Sequence, residues 1–427
     1  MKFWNRMSVG SAALVAVALI AAGCSSSSKP ASSSAGGGAS APTGGKVRGF
    51  DGTTIKVAGL ENFGDFQGAE VGAEARFARA NQTNELNGIK IQFVQAQNDN
   101  QDPATALSEV RQLVTSNGIF AIVPDLSAVN PGQYLLQQKV PYVGYAFDGT
   151  YCSPTPSQNI WGFGFDGCLV PNAPQTLPDG FGQIYKYVSQ KSGSSKPTMV
   201  IFSNDNQSGK NSVKFDASEA QGSGFNVVYA KGSVPITTSD YTPYVQQWLT
   251  AAAGKAPDII ACYIAAQCIP IWTAVKAAGY KGTFFDTLGA VGVLAGPLAG
   301  TVTSNFYNTS PNAGLTQMQQ DIQSFKPGTQ LVSYSNVPAY FAADMFIQAL
   351  KKVGKNITPQ SVQQALDNQT WSIPNLVGPV IYPESTAVPT PACSEILLDA
   401  SAAAGYQSQE PYVCSNKHYS IDPKFTG

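Results

Sequence analysis

The chain has 427 residues, a formal net charge of −1, and only 12% Asp, Glu, Lys and Arg, against roughly 25% in an ordinary globular protein. Neither a basic patch for nucleic acid nor an apolar run long enough to cross a membrane is present in the sequence. The polar surface must therefore come from Ser, Thr, Asn and Gln.

In chain order, Lys2 and Arg6 precede an apolar stretch from Val9 to Ile20, followed by the small residues Ala21, Ala22 and Gly23 and then Cys24. A basic start, a short apolar core and small residues at a cut site predict a secretory signal peptide over 1–23. The segment resembles the bacterial lipobox, whose cysteine carries diacylglycerol after cleavage, although Ala21 stands where that motif usually has Leu. The resemblance implies an anchor on Cys24; plain secretion is the alternative. Ser- and Gly-rich sequence over 24–51 without apolar periodicity reads as a flexible tether.

The roughly 375 residues that follow exceed one ordinary domain and predict two lobes. Thr54–Leu60, Ile89–Phe93, Ile119–Val123 and Tyr142–Tyr145 read as strands. A helix is expected over Pro103–Ser116, with Asp102 as cap, Pro103 in the first turn, an apolar stripe of Leu107, Val110, Leu113 and Val114, and Asn117 and Gly118 as stop. The alternation then restarts: strands at Thr198–Phe202, Phe225–Tyr229, Ile259–Tyr263 and Thr283–Phe285, with helices at Ser212–Ala220, Tyr241–Ala252 and Ile269–Ala278 between them. Strand, helix, strand at this spacing predicts an α/β fold of parallel sheets covered on both faces. Two such lobes take ligands in the crevice at the carboxyl ends of their strands.

Apart from Cys24, six cysteines remain, at 152, 168, 262, 268, 393 and 414. In an oxidising compartment they should pair, and sequence neighbours suggest Cys152 with Cys168, Cys262 with Cys268 and Cys393 with Cys414, among fifteen possible connectivities. No short CxxC pair exists and the sole histidine is His418, so no metal and no cofactor are expected. Catalysis finds little footing. Gly162, Gly164 and Gly167 match GxGxxG but run into Cys168 and Pro171 rather than a helix, Gly209 and Lys210 lack the rest of a phosphate loop, and no GxSxG elbow accompanies His418.

Residues 55 to 150 carry a family resemblance in the pieces IKVAGL, QGAEVGAEARFARAN, NGIKIQFVQAQNDNQDPATALSEVRQLV, IFAIVPDLSAVN and VPYVGYAFDGT. In this order they look like the leucine/isoleucine/valine-binding proteins, the type I periplasmic solute receptors of ATP-driven importers. Weaker similarity runs through KPTMVIFSNDNQSGKNSV and APDIIACYIAAQCIPIWTAVKAAGYKGTFFDTLGA to GPVIYP. The resemblance implies a two-lobed type I periplasmic-binding-protein fold with three interlobe crossovers. Lobe 1 would comprise 52–165 and 309–379, with helices over Pro338–Val353 and Thr358–Asp367; lobe 2 would comprise 166–308 and 380–427. It also implies a non-catalytic monomer, held to the outer face of the membrane only by its lipid, that captures a small solute and delivers it to the permease of an ABC transporter. A sensory receptor of the same fold and an extracellular hydrolase are the alternatives.

By the same resemblance, Ser127 and the amide of Ala128 fall where the family holds a carboxylate, and Ala146 at a backbone contact. Asp148 stands in place of a threonine, which favours a cation or hydroxyl donor over an anion. Ser208 replaces an aromatic, and Leu288 aligns with the family's ammonium-binding acid, Asp286 being close but out of register. Phe63 and Phe66, read as loop residues, together with Tyr145, Phe147 and Tyr263 supply aromatic surface for the cleft, and the disulfides near Cys152 and Cys262 would stiffen its mouth.

Overall fold

The computed structural model describes residues 46–427 except 158, 170, 172–175, 236, 265–266, 288–295, 334, 389–391 and 402–403, with only the backbone of Asp65, Gln207 and Ser208. The predicted leader, Cys24, most of the tether and Leu288 thus lie outside the described residues.

The first half builds one sheet. In chain order its elements are β1 (Thr54–Glu61), α1 (Phe63–Phe66), α2 (Glu70–Gln82), β2 (Lys90–Asn98), α3 (Pro103–Thr115), β3 (Ala121–Leu126), α4 (Gly132–Gln138), β4 (Tyr142–Gly144) and β5 (Gly162–Gly164). The strands are parallel in the order β2-β1-β3-β4-β5. Alternation places Ile55 and Val57 in one core and Ala58 and Leu60 in another, because both faces of a parallel sheet are covered. Helix α3 supplies Val110, Leu113 and Val114 to the second core, and the Asp102 carboxylate accepts from the Thr105 N–H at 2.7 Å to cap it.

A second sheet follows. It is built from β7 (Thr198–Asn204), β8 (Asn226–Val234), β9 (Ile259–Tyr263), β10 (Thr283–Asp286) and β11 (Val302–Asn305), after a short β6 (Thr176–Pro178) and α5 (Gly182–Ser192). Helices α6 (Gln207–Ser223), α7 (Thr242–Leu249) and α8 (Cys268–Ala277) connect them. One face packs Met199, Ile201, Ile259 and Ala261 against Ile184 and Val188 of α5 and Val213, Ala217 and Ala220 of α6. The other sets Val200, Phe202 and Ile260 against Val245 and Trp248 of α7 and Ile271 and Val275 of α8.

The chain then returns to the first sheet. Helices α9 (Ala313–Phe325), α10 (Asn336–Val353) and α11 (Pro359–Leu366) follow, with α9 on α2 and α10 on α2, β3, β4 and α11. Helix α10 is buried on nearly every side, so it reads as apolar all round. It crosses α2 so closely that a Cβ on Gly72 would lie 1.9 Å from the Asn336 carbonyl oxygen. Arg76 clasps the same junction, its Nε 2.7 Å from Asp344 and its two Nη atoms 2.8 and 2.9 Å from Glu85.

The last segment goes beyond the expected alternation. β12 (Thr370–Ile373) and β13 (Val377–Ile381) form a separate antiparallel pair. β14 (Ala392–Ser401) and β15 (Gly405–Ser415) extend the second sheet antiparallel, in the order β15-β14-β11-β10-β9-β7-β8, and β16 (His418–Ser420) pairs with β6. Disulfides join Cys152 to Cys168, Cys262 to Cys268 and Cys393 to Cys414. No described helix is long and apolar enough to cross a membrane.

Candidate functional site

Parallel strands bring their carboxyl ends to one edge, and on the first sheet that edge is acidic and buried. Glu61 ends β1, Asp99 follows β2, Asp125 lies near the end of β3 and Asp166 follows β5, all buried. Burial pushes the carboxyls of Glu61, Asp125 and Asp166 well above the usual range, with Glu70 adding to the rise at Glu61 and Asp148 at Asp125.

Several residues expected at the ligand are engaged within this edge. The Ser127 hydroxyl, fully buried, donates to Asp99 at 2.6 Å and accepts from the Val129 N–H. The buried Ala146 donates its N–H to Oδ1 of Asp166 at 3.4 Å. Asp148 accepts from the Thr150 N–H on Oδ1 at 2.7 Å and from the Asn130 N–H on Oδ2 at 3.1 Å, capping a single 3-10 turn, Gly149–Tyr151. Phe63 and Phe66 form a short helix rather than a loop, and Phe66 is only 3% exposed, its ring 5.5 Å from Phe147. Half-buried Tyr145, Phe147 and Phe306 continue this aromatic cluster, with Tyr145 and Phe147 centroids 4.0 Å apart.

A cavity of ≈340 Å³ opens beyond these loops. Ala128, Phe147, Asp148 and Gly149 form one wall, from the segments after β3 and β4. Leu169 and Pro171 of the passage toward the second sheet flank it, and Asn211, Ser212, Phe215 and Asp216 of α6 face it. Three of the expected residues, Ala128, Phe147 and Asp148, thus meet at one space, with Phe66 behind Phe147. Tyr263 is not on the cavity wall. It is half-buried at the end of β9, its ring 6.3 Å from Phe285, and burial, with Asp216 and then Glu219 nearby, raises its hydroxyl well above the ordinary range. Asp286 sits apart, fully buried and accepting from the Thr301 hydroxyl at 2.8 Å. Ser208 lies in the first turn of α6, its side chain outside the described atoms.

Sequence reasoning located α6 but not its cavity face. Val213, Ala217 and Ala220 mark the core stripe, which leaves Ser212 and Asp216, one turn apart, on a neighbouring face; that spacing was the available signal. Ser212 donates to Oδ2 of Asp216 at 2.7 Å, and burial raises the Asp216 carboxyl to about 7. A larger hollow of ≈530 Å³ lies at the other end of the second sheet, beside Asp258 and Thr283 where β9 and β10 begin, far along the strands from every residue expected at the site. Among the described residues, no group of three or more His, Cys, Asp or Glu is arranged to hold a metal ion.

Comparison with known proteins places this arrangement. A family model described as periplasmic binding protein matches residues 54–391. No curated protein sequence matches the chain. Among solved structures, a fatty acid ABC transporter substrate-binding protein from Thermomonospora curvata aligns with TM-score 0.67 at 15% identity, covering 87% of this chain and 95% of that one. A solute-binding protein of an ABC transporter from R. palustris in complex with 4-hydroxybenzoate aligns with TM-score 0.63 at 17% identity, covering 85% and 98%. A branched chain amino acid ABC transporter protein from Thermus thermophilus with bound valine aligns with TM-score 0.61 at 16% identity, covering 85% and 97%. At these identities the likeness establishes the fold, that of type I periplasmic binding proteins, and the family match extends over most of the sequence: the chain belongs to the periplasmic binding protein family.

Proposed function

We propose that the chain is an exported lipoprotein that captures a small polar or amphipathic solute, a branched-chain amino acid or a related compound, and delivers it to the permease of an ABC importer. The observation that carries this reading is the cavity between the loops at the carboxyl ends of β3 and β4 and one face of α6. Open α/β sheets take ligands at such a place, because free backbone groups and aromatic side chains converge there.

On this reading lobe 1 comprises 52–165 and 309–379, and lobe 2 comprises 166–308 and 380–427. Membership of β1–β5 in one sheet, the packing of α9 and α10 on α2, and the addition of β14 and β15 to the other sheet support the division. The three passages between lobes serve as the hinge, and closure on the solute makes the surface that the permease reads. The protein binds without turning its ligand over, works as a monomer without a cofactor, and is held outside the cell by lipid on Cys24. Fatty acid, 4-hydroxybenzoate and valine, named for the three similar structures, support a small organic cargo.

Mass spectrometry of small molecules released on denaturing the purified mature protein is the direct test. A stoichiometric, chemically unchanged organic solute that raises the melting temperature when added back is the expected result. An empty protein whose melting is unmoved by pooled amino acids, aromatic acids and fatty acids would sink the reading. For the anchor, Cys24→Ser should release the protein from the cell envelope into the medium.

A further inference from the structure

The cavity beside α6 has an uneven charge. Asp148 and Asp216 line it, and no Lys, Arg or His is among the described residues on its wall. Lys214, whose ammonium lies 5.9 Å from the centroid of the Phe215 ring, is not part of the wall. An organic anion entering this space would meet two carboxyl groups on the wall and, among its described residues, no cationic group.

The two acids are not equivalent. Both oxygens of Asp148 accept backbone N–H groups, from Thr150 and Asn130, so this side chain is committed to shaping its own loop. Asp216 accepts one hydrogen bond, from the Ser212 hydroxyl on Oδ2, and its Oδ1 takes none from any described residue. Its other titratable neighbours are Glu219, one turn further along α6, and Tyr263, from β9 beneath the helix; neither brings a positive charge. The partly exposed rings of Phe147 and Phe215 bound the same space. A half-buried carboxyl with a free acceptor oxygen, beside aromatic faces, suits a hydrogen-bond donor on an apolar body.

We infer that Asp216 is the specificity-determining residue of the cleft, receiving an ammonium or hydroxyl group of an amphipathic solute without net negative charge, whose apolar part rests on Phe147 and Phe215. This rests on the cavity being the solute site. Burial raises the Asp216 carboxyl, and a cation placed against Oδ1 would draw it back to the ionised form.

Three probes that share a phenyl ring test it on the mature chain by isothermal titration calorimetry: 2-phenylethylamine, 2-phenylethanol and 3-phenylpropionate. The expected order is amine first, alcohol second and acid last, with about tenfold between amine and acid. Asp216→Asn keeps the shape and an acceptor for Ser212, and should bring amine and acid to within about twofold while leaving the melting temperature of the empty protein within a few degrees. Phe147→Leu should weaken amine and alcohol together and preserve their order. Acid binding as tight as amine, an amine preference that survives Asp216→Asn, or no binding of amine or alcohol overturns the assignment. Tight binding of the acid would overturn it while leaving solute capture intact, so the two readings fail separately.

Discussion

The hydroxyl of Ser127 donates a 2.6 Å hydrogen bond to Oδ2 of Asp99, and both side chains are fully buried at the carboxyl edge of the first sheet. This hydroxyl works within the fold, tying the loop after β3 to the loop after β2. Ser127→Ala removes the donor and leaves a buried carboxylate oxygen under-satisfied, at a cost of about 1–3 kcal/mol. Urea denaturation of the solute-free protein should show the loss, and an unchanged midpoint would mean the hydroxyl is not so engaged.

Gly72 tests the contact between α2 and α10. An added Cβ would lie 1.9 Å from the Asn336 carbonyl oxygen, which belongs to backbone and cannot rotate away. Ala is the better helix former, so propensity alone predicts a gain of up to about 1 kcal/mol. Overpacking should win, and Gly72→Ala is expected to lower stability by about 1–3 kcal/mol. The exposed Gln82 at the end of the same helix provides the control, since Gln82→Ala should change stability by no more than about 0.5 kcal/mol.

The disulfide between Cys152 and Cys168 closes a segment of 16 residues that runs from the loop after β4 to the flank of the cavity. Loop-closure entropy assigns it about 3 kcal/mol. The double variant Cys152→Ser, Cys168→Ser should lose about that much stability in chemical denaturation, and alkylation of the unreduced, denatured mature protein should find none of the six body cysteines free. An equally stable double variant would locate the restraint elsewhere.

Much of this fold is legible in the sequence because its signals are local. Ile55 and Val57 alternate with Ala58 and Leu60, and Asp102 precedes Pro103; each arrangement states its structure within a few residues. The site is less legible because it is assembled across the chain. Asp99 and Ser127 are 28 positions apart, and nothing near either announces the other. Asp216 belongs to a helix whose core stripe is readable, yet what its other face meets depends on loops from the first sheet. The antiparallel β14 and β15 escape the pattern too, since they break the alternation on which the rest was read.

Opposing titrations predict a stability maximum in mild acid. Burial alone would raise the Glu85 carboxyl, but hydrogen bonds and charge from Arg76 and Lys351 override it and hold the group at about 2. A carboxyl depressed in the native state stabilises it above the unfolded pKa, and that contribution fades as pH falls from about 4.5 toward 2. Asp166 and Asp216 act in the reverse sense. Their native carboxyls are raised by burial, Asp216 to about 7, so the native state holds protons that the unfolded chain releases, and stability declines as pH rises above the ordinary carboxylate range. Urea midpoints measured from pH 3 to pH 8 should therefore peak near about pH 5. Glu85→Gln should flatten the acid limb and lower the peak. Asp166→Asn keeps an acceptor for the Ala146 N–H, removes a buried ionisable group, and should raise stability at pH 8 and flatten the alkaline limb. A midpoint that climbs steadily to pH 8 would show that these buried carboxyls are paired with charge or water in solution.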